Sequence, residues 1–403
     1  MKKLLHSVLV VVAAVAALGF SACSDSDDGI EPVAVGFTSV LPDGVNYNDI
    51  YDATLKLTEL NTGAVTTVDP LNSNLLIAPG LYNYEGTAKV NVTADGNTTV
   101  KTLRTAGNSV SISSAANLKL NWFFTNPGGT LIFSEIYAAG SPNAAGTSGL
   151  KDSYFRIYNN TDQTIYADGI GIAESSFTNA ANNNFEILTP ANDRETNFTA
   201  QTIWVIPGNG TEHPILPGQS IKIVDQAIDW SEQVAGALNH TDADFEWYDD
   251  HKLDTDNPSV PNLNKWYSYS ATIWIMNNQC NKSYALVKFP EGMTAENYLA
   301  SYNGTYTYIG ATGKEMTNNK SYLIPLTWII DGVNLGTNDS YENGALSKTI
   351  DISHAAISDI TRDPKRFGKK FVRKVSNEAN GVTYLQDTND SAADFYVTAA
   401  TNK

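Results

Sequence analysis

The sequence predicts an all-β protein made of two β-sandwich modules, and three observations predict it. Short runs rich in Val, Ile, Tyr, Phe and Thr recur along most of the chain. Clusters of Gly, Asn, Asp and Pro separate them, as turns separate strands. Stretches that read as helix are few and short. Between two such β patterns lies Thr125-Asn126-Pro127-Gly128-Gly129, the kind of step at which a chain changes domain. The division that follows is a leader over residues 1–22, an acidic tether over 23–32, an N-terminal sandwich over 33–124, a linker over 125–129 and a second sandwich over 130–403. Long loops and short helical insertions belong to the second sandwich.

The leader fixes the expected compartment. Lys2-Lys3 is a short basic region, Val8 to Leu18 is an apolar stretch too short to span a bilayer, and Phe20-Ser21-Ala22 sets small residues before Cys23. The arrangement resembles the bacterial lipobox, which implies a lipoprotein signal peptide and a lipid on Cys23. Ser24-Asp25-Ser26-Asp27-Asp28-Gly29 cannot pack and reads as a solvated tether. It also resembles the export signal of Bacteroidetes lipoproteins, which implies the outer membrane with the protein facing the medium.

In the first module, Ala53 to Leu60 alternates, Asn61-Thr62-Gly63 turns, and Ala64 to Val68 returns. Asn74 to Tyr84, with its Pro79-Gly80 turn, leads into Gly86 to Val92, and Val110 to Ser113 and Leu118 to Phe124 complete the set. This module resembles transthyretin-like or carboxypeptidase-regulatory sandwiches. It contains no His and no Cys, and a spacer or docking role is expected.

The second module opens with Gly129 to Tyr137, Asp152 to Asp162 and Ile165 to Glu174. The order Glu135-Ile136, Tyr154-Phe155-Arg156-Ile157-Tyr158-Asn159 and Ala167-Asp168-Gly169-Ile170 resembles the lamin-tail type of immunoglobulin-like sandwich. More closely it resembles an uncharacterised Bacteroidetes surface-lipoprotein family that carries that domain. The likeness continues through Leu216 to Val224, Phe371 to Lys374 and Leu385 to Asp390, with Arg156 standing where the lamin-tail pattern usually has Glu. The resemblance implies a fold and a location and no activity.

Further strands are expected at Thr202–Ile206, Ser220–Val224, Ala271–Ile275 and Ser283–Phe289, and at Tyr322–Ile330, where Pro325 interrupts the ladder. Asp229 and Thr294 are placed to cap short helices over 229–238 and 294–299. Asn179 to Asn184 reads as a surface loop. The basic run Arg362 to Lys374 reads as a solvated strand pair anchored by Phe367, Phe371 and Val375.

A formal net charge of −17 argues against nucleic acid and anionic lipid as partners. Acids concentrate in the stretch from Asn239 to Pro258. Asp242/Asp244 and Asp254/Asp256 are Asp-x-Asp pairs, and alternate carboxylates on a tight loop converge on calcium in some proteins and cap turns in others. His240 and His251 lack the spacing of a metal motif. Trp247, Tyr248, Trp266 and Tyr267 are the candidate ligand-binding aromatics, since rings beside acids stack on sugars, and the same rings also fill cores and interfaces. His213 and His354 read as surface or turn residues. With Cys23 acylated, Cys280 has no disulfide partner and reads as a core or turn residue. Asp390-Ser391-Ala392 resembles a short O-glycosylation acceptor. No Gly-x-Ser-x-Gly and no phosphate loop is present.

The expected function is therefore a non-enzymatic, surface-exposed lipoprotein that binds a ligand or partner. The family resemblance implies nutrient capture beside a TonB-dependent transporter. A carboxylate- or metal-dependent glycan hydrolase and a structural adhesin are the alternatives.

Overall fold

The structure, a computed structural model, describes residues 31–41, 45–94, 97–124, 131–180, 186–187, 194–310, 312–379 and 381–402. The leader, Cys23, most of the tether, the 125–129 linker and Asn182 to Asn184 lie outside the described residues. The chain divides into two compact units, Met1–Thr125 and Asn126–Lys403. The fold is an all-β sandwich, with only short helices among the described residues.

In the first unit, Val65–Val68, Ile50–Glu59, Gly80–Ala94, Asn97–Ile112 and Phe123–Phe124 form a sheet in that order. A smaller sheet joins Leu75–Ile77, Val33–Val40 and Ala116–Asn121, the last two running parallel. Period-two alternation turns Leu55, Leu57, Ala88 and Val90 inward, against Val35, Leu120 and Trp122. The hairpin after Glu59 closes as its residues dictate. Gly63 takes φ 71°, and the Glu59 carboxylate accepts the N–H groups of Asn61 and Thr62 at 2.9 and 2.5 Å.

Two larger sheets build the second unit. The first runs Phe245–Glu246, Ser220–Val224, Tyr154–Asn159, Leu131–Tyr137, Lys369–Arg373 and Phe395–Ala399. The second runs Asn264–Ser268, Asn197–Val205, Ile170–Ser175, Ser283–Lys288, Ile329–Gly336 and Ala355–Ala356, with Tyr322–Pro325 also paired to Asn197–Val205. Their facing side chains, among them Phe133, Phe155, Ile157, Trp204, Tyr284, Leu286 and Phe371, make one core. Each large side chain buried there contributes about 1.5–3 kcal/mol.

The register slips between Arg156 and Ile157, where Ser134 is the extra residue and donates its hydroxyl to the Arg156 carbonyl at 3.1 Å. That bulge lets Phe133 and Ile136, three positions apart, both face the core. Arg156 points away from it and lies 3.7 Å from Glu135, which also holds Lys370 at 2.9 Å.

The second sheet is covered on both faces. Ile172, Trp204, Tyr284 and Leu286 face the shared core, whereas Ala173, Ile203, Val205, Ala285 and Val287 face a second cluster under the helix Ala295–Ser301. This is why these strands read as nearly unbroken apolar runs.

Some local expectations are corrected. Ala271–Ile275 is not a strand. Trp274 is instead held individually, its N–H on Asp249 at 2.7 Å and its indole N–H on Glu174 at 3.2 Å, while Ile275 is exposed. Asp229 caps, but only the single 3₁₀ turn Trp230–Glu232 follows, and Gly236 takes φ 87° soon after. Thr294 caps the helix Ala295–Ser301 with its hydroxyl. In the basic run, Val375 is exposed, while Arg366 and Arg373 are buried.

Candidate functional site

The acidic stretch from Asn239 to Pro258 runs along the edge of the first sheet, where Phe245–Glu246 pairs with Ser220–Val224. Asp244 extends the ladder, its carboxylate accepting the Lys222 N–H at 2.7 Å while its own N–H donates to the Lys222 carbonyl at 2.9 Å. Asp242 takes the Lys222 ammonium at 2.8 Å, which holds its carboxyl below the usual range. Farther along, Asp254 accepts the Gln226 side-chain amide at 2.7 Å and the N–H of Asp249 at 2.8 Å. Asp256 is exposed and accepts from Asn262 at 2.9 Å. The structure thus splits the candidate calcium residues. Asp242 and Asp244 meet at Lys222, Asp254 turns inward, and Asp256 stays at the surface.

The aromatic candidates separate as well. Trp247 is 1% exposed and packs on Phe155 and Trp274, with ring centroids 5.9 and 5.0 Å away, so its ring has no face to offer a ligand. Tyr248 is half-buried. Trp266 and Tyr267, on the edge strand Asn264–Ser268, join a different assembly. Trp266 lies 4.3 Å from Phe289 and 5.9 Å from Tyr298, and Tyr267 lies 4.5 Å from Tyr322. Tyr298 stacks on Tyr302 at 5.3 Å, and Tyr302 meets Trp328 edge-on at 4.9 Å. Tyr298 and Phe289 are buried, whereas Trp266, Tyr267, Tyr302, Tyr322 and Trp328 are partly exposed at the margin of this cluster. The helix Ala295–Ser301 carries Tyr298, with Tyr302 at its C-cap, and the strand Tyr322–Pro325 carries Tyr322 on the same face of the second sheet.

One further convergence was not legible in the sequence. Single donor atoms of Asp168, Glu212 and His213 lie within 4.8 Å of one another. Asp168 is committed to the turn beside it, accepting the N–H groups of His213, Glu212 and Gly210 at 2.9, 3.0 and 3.3 Å. Burial pushes its carboxyl up, but these donors hold it below the usual range. Spacing gives no hint of the group, since Asp168 reaches the others only through the fold.

Other candidates are structural. Cys280 is buried with φ 52°, and burial pushes its thiol up to about 12 despite the nearby Arg366 guanidinium. Lys282 is half-buried, donating its ammonium to the carbonyls of Ser175 and Ser176 at 3.1 and 2.8 Å. His240 is 1% exposed, with Nε2 on the Asp152 carbonyl at 2.8 Å. His213 sits edge-on to Phe245 at 4.9 Å, and His354 stacks on Tyr341 at 3.8 Å. Ser391 is 2% exposed and donates its hydroxyl to Asp351 at 2.5 Å, so a glycan cannot be attached there in the folded protein.

No helix among the described residues is long and apolar enough to cross a membrane. No curated protein matches the chain. A solved protein from Bacteroides ovatus described as a candidate adhesin matches 76% of this chain and 88% of its own at 8% identity, but its TM-score of 0.17 carries no argument. A DUF4876 family protein from Bacteroides thetaiotaomicron shares the fold, with 19% identity and a TM-score of 0.55 over 91% of this chain and 95% of that one. Residues 216–401 match the model of the family described as a protein of unknown function, DUF4876.

Proposed function

We propose that this chain is a non-enzymatic binding module displayed on the outer membrane through a lipid on Cys23, and that its aromatic face captures a ligand for a TonB-dependent transporter. In this reading the second unit is of the lamin-tail type, and the first, of the transthyretin-like type, carries it. The observation that supports it is the connected set of rings from Tyr267 through Tyr322, Tyr298 and Tyr302 to Trp328 and Trp266. Half-exposed aromatic rings with polar surroundings are what interfaces and sugar-stacking sites use, because each ring buries a large area at little entropic cost.

The hydrolase alternative needs two carboxylates facing one another across a cleft. Asp242, Asp244, Asp254 and Asp256 are instead engaged with Lys222, Gln226, Asp249 and Asn262. The test is purification of the native acylated protein from outer membranes with identification of what accompanies it. A stoichiometric transporter barrel is expected. A solitary protein that turns over a glycan would overturn the reading.

A further inference from the structure

Asn followed by Gly is the dipeptide at which a backbone nitrogen most readily reaches the preceding side-chain amide carbon, because glycine puts no side chain in the way. Among the described residues such steps are Asn209-Gly210, Asn303-Gly304 and Asn343-Gly344. The fold treats them differently. At Asn303-Gly304 the Gly304 N–H donates to the Ser321 carbonyl at 2.9 Å, the Asn303 carboxamide oxygen accepts the Thr305 N–H at 3.0 Å, and Asn303 bridges to Tyr322. At Asn343-Gly344 the glycine is buried against the Asn334 carboxamide, and Arg194 donates to its carbonyl at 2.5 Å. Both steps are tied down.

Asn209 instead stands exposed on the turn after Ile206, between Gly208 at φ 126° and Gly210 at φ 107°. Two groups act on its reacting atoms. The Gly210 N–H, whose nitrogen is the attacking atom, donates to Asp168 Oδ1 at 3.3 Å. The Asn209 carboxamide oxygen, on which charge develops when its carbon is attacked, accepts the Thr211 hydroxyl at 3.2 Å. Asp168 is seated against the turn, accepting the Glu212 and His213 N–H groups at 3.0 and 2.9 Å. A Cβ on Gly208 would stand 1.9 Å from Asp168 Oδ1, so glycine is what lets the carboxylate lie there. Burial pushes that carboxyl up, the N–H donors hold it below the usual range, and it is therefore a carboxylate at neutral pH, as a proton acceptor must be.

We propose that Asn209 is a self-modification site, where the side chain loses ammonia through a succinimide formed with Gly210 and becomes aspartate or isoaspartate. In the first step the Gly210 nitrogen bonds to Asn209 Cγ, and its proton passes by way of Asp168 to the side-chain nitrogen. The Cγ–Nδ2 bond then breaks and ammonia leaves, while Thr211 holds the oxygen that carries the charge in between. In the second step water opens the ring and restores the Gly210 N–H. Water at Cγ gives aspartate, and water at the Asn209 main-chain carbonyl gives isoaspartate, with the backbone rerouted through the side chain. Nothing is oxidised or reduced, and water is the co-reactant. Either product adds a carboxylate to the turn that carries Glu212 and His213, whose donor atoms already lie within 4.8 Å of Asp168. This inference does not rest on the capture reading.

The test incubates the full-length acylated protein in detergent at neutral and mildly alkaline pH. The protein is then digested in acid and its peptides are mapped by mass spectrometry, with electron-transfer fragmentation to separate aspartate from isoaspartate. The Asn209 peptide is expected to convert to both products at least about tenfold faster than the Asn303 peptide of the same sample. Asp168→Asn is expected to slow the conversion by about tenfold. Thr211→Val, which leaves the Asp168 bonds in place, is expected to slow it by a similar factor of about ten and decides the matter if the first variant loosens the turn. An Asn209 that stays intact, conversion no faster than at Asn303, or undiminished conversion in Thr211→Val would overturn the assignment.

Discussion

Arg373 and Asp331 lock the two sheets of the second unit together from inside. One guanidinium nitrogen of Arg373, on the first sheet, lies 2.9 Å from both carboxylate oxygens of Asp331, on the second. Asp387 and Asp394 approach the other terminal nitrogen at 3.2 and 3.5 Å, and the Phe133 N–H reaches Asp331 at 2.6 Å. All four charged side chains are at most 6% exposed. Burial raises the Asp331 carboxyl, and Arg373 acts to keep it charged.

Removing the cation leaves several carboxylates buried without compensation. Arg373→Ala is expected to lose about 3–5 kcal/mol, measured as a lower urea midpoint. Arg373→Lys also destabilises, because one ammonium cannot replace a guanidinium that bonds both the carboxylates and the Phe133 carbonyl at 2.9 Å.

His240 makes stability depend on acid. Burial first, and Lys222 second, depress its pKa to about 4. Asp242 and the Asp152 carbonyl act the other way, and Arg156 acts with Lys222. The folded histidine is therefore neutral, whereas the unfolded one takes up a proton near pH 6.5. Its contribution is intact above pH 6.5 and is lost as pH falls toward 4, by on the order of 3 kcal/mol. Burial raises the Asp225 and Asp152 carboxyls, which act in the opposite sense, so the quantity to measure is the difference between wild type and His240→Asn in urea unfolding at pH 7 and 4.5. The gap between the two proteins should shrink at the lower pH, and a constant gap would contradict the assignment.

Cys280 is expected to resist thiol reagents in the folded protein, since it is 1% exposed and its thiol is pushed up to about 12. In a chain lacking Cys23, a maleimide should label it only after denaturant is added. Fast labelling under native conditions would show that the Asn277–Cys280 turn opens.

Gly171 leaves room for the ring of Phe289, since a Cβ there would stand 2.6 Å from Phe289 Cε2. Gly171→Ala is expected to displace that ring from beneath the aromatic face and to lower stability by about 1–3 kcal/mol, read as a drop in the thermal midpoint.

The fold class was legible because it rests on local chemistry. The alternation of Leu55 and Leu57, the Asn61-Thr62-Gly63 turn and the Thr294 cap all act within a few residues of themselves. The site was not legible, because it depends on partners distant in sequence. Trp247 stands in an exposed-looking acidic run, yet it is drawn into the core by Phe155 and Trp274. Arg373 lies in a basic run that reads as solvated, yet its counter-charges come from Asp331, Asp387 and Asp394. Trp266 and Tyr267 could be named as candidates, but Tyr302, Tyr322 and Trp328, which complete their face, belong to separate segments.

The most direct test of the capture reading compares wild type with the combined Trp266→Ala, Tyr302→Ala and Trp328→Ala variant in purification from outer membranes. Each protein is acylated and checked for an intact fold by circular dichroism. The account predicts that the wild type retains a stoichiometric companion and that the folded variant loses it. A folded variant that retains the companion in full would contradict the account and would move the binding surface off the aromatic face.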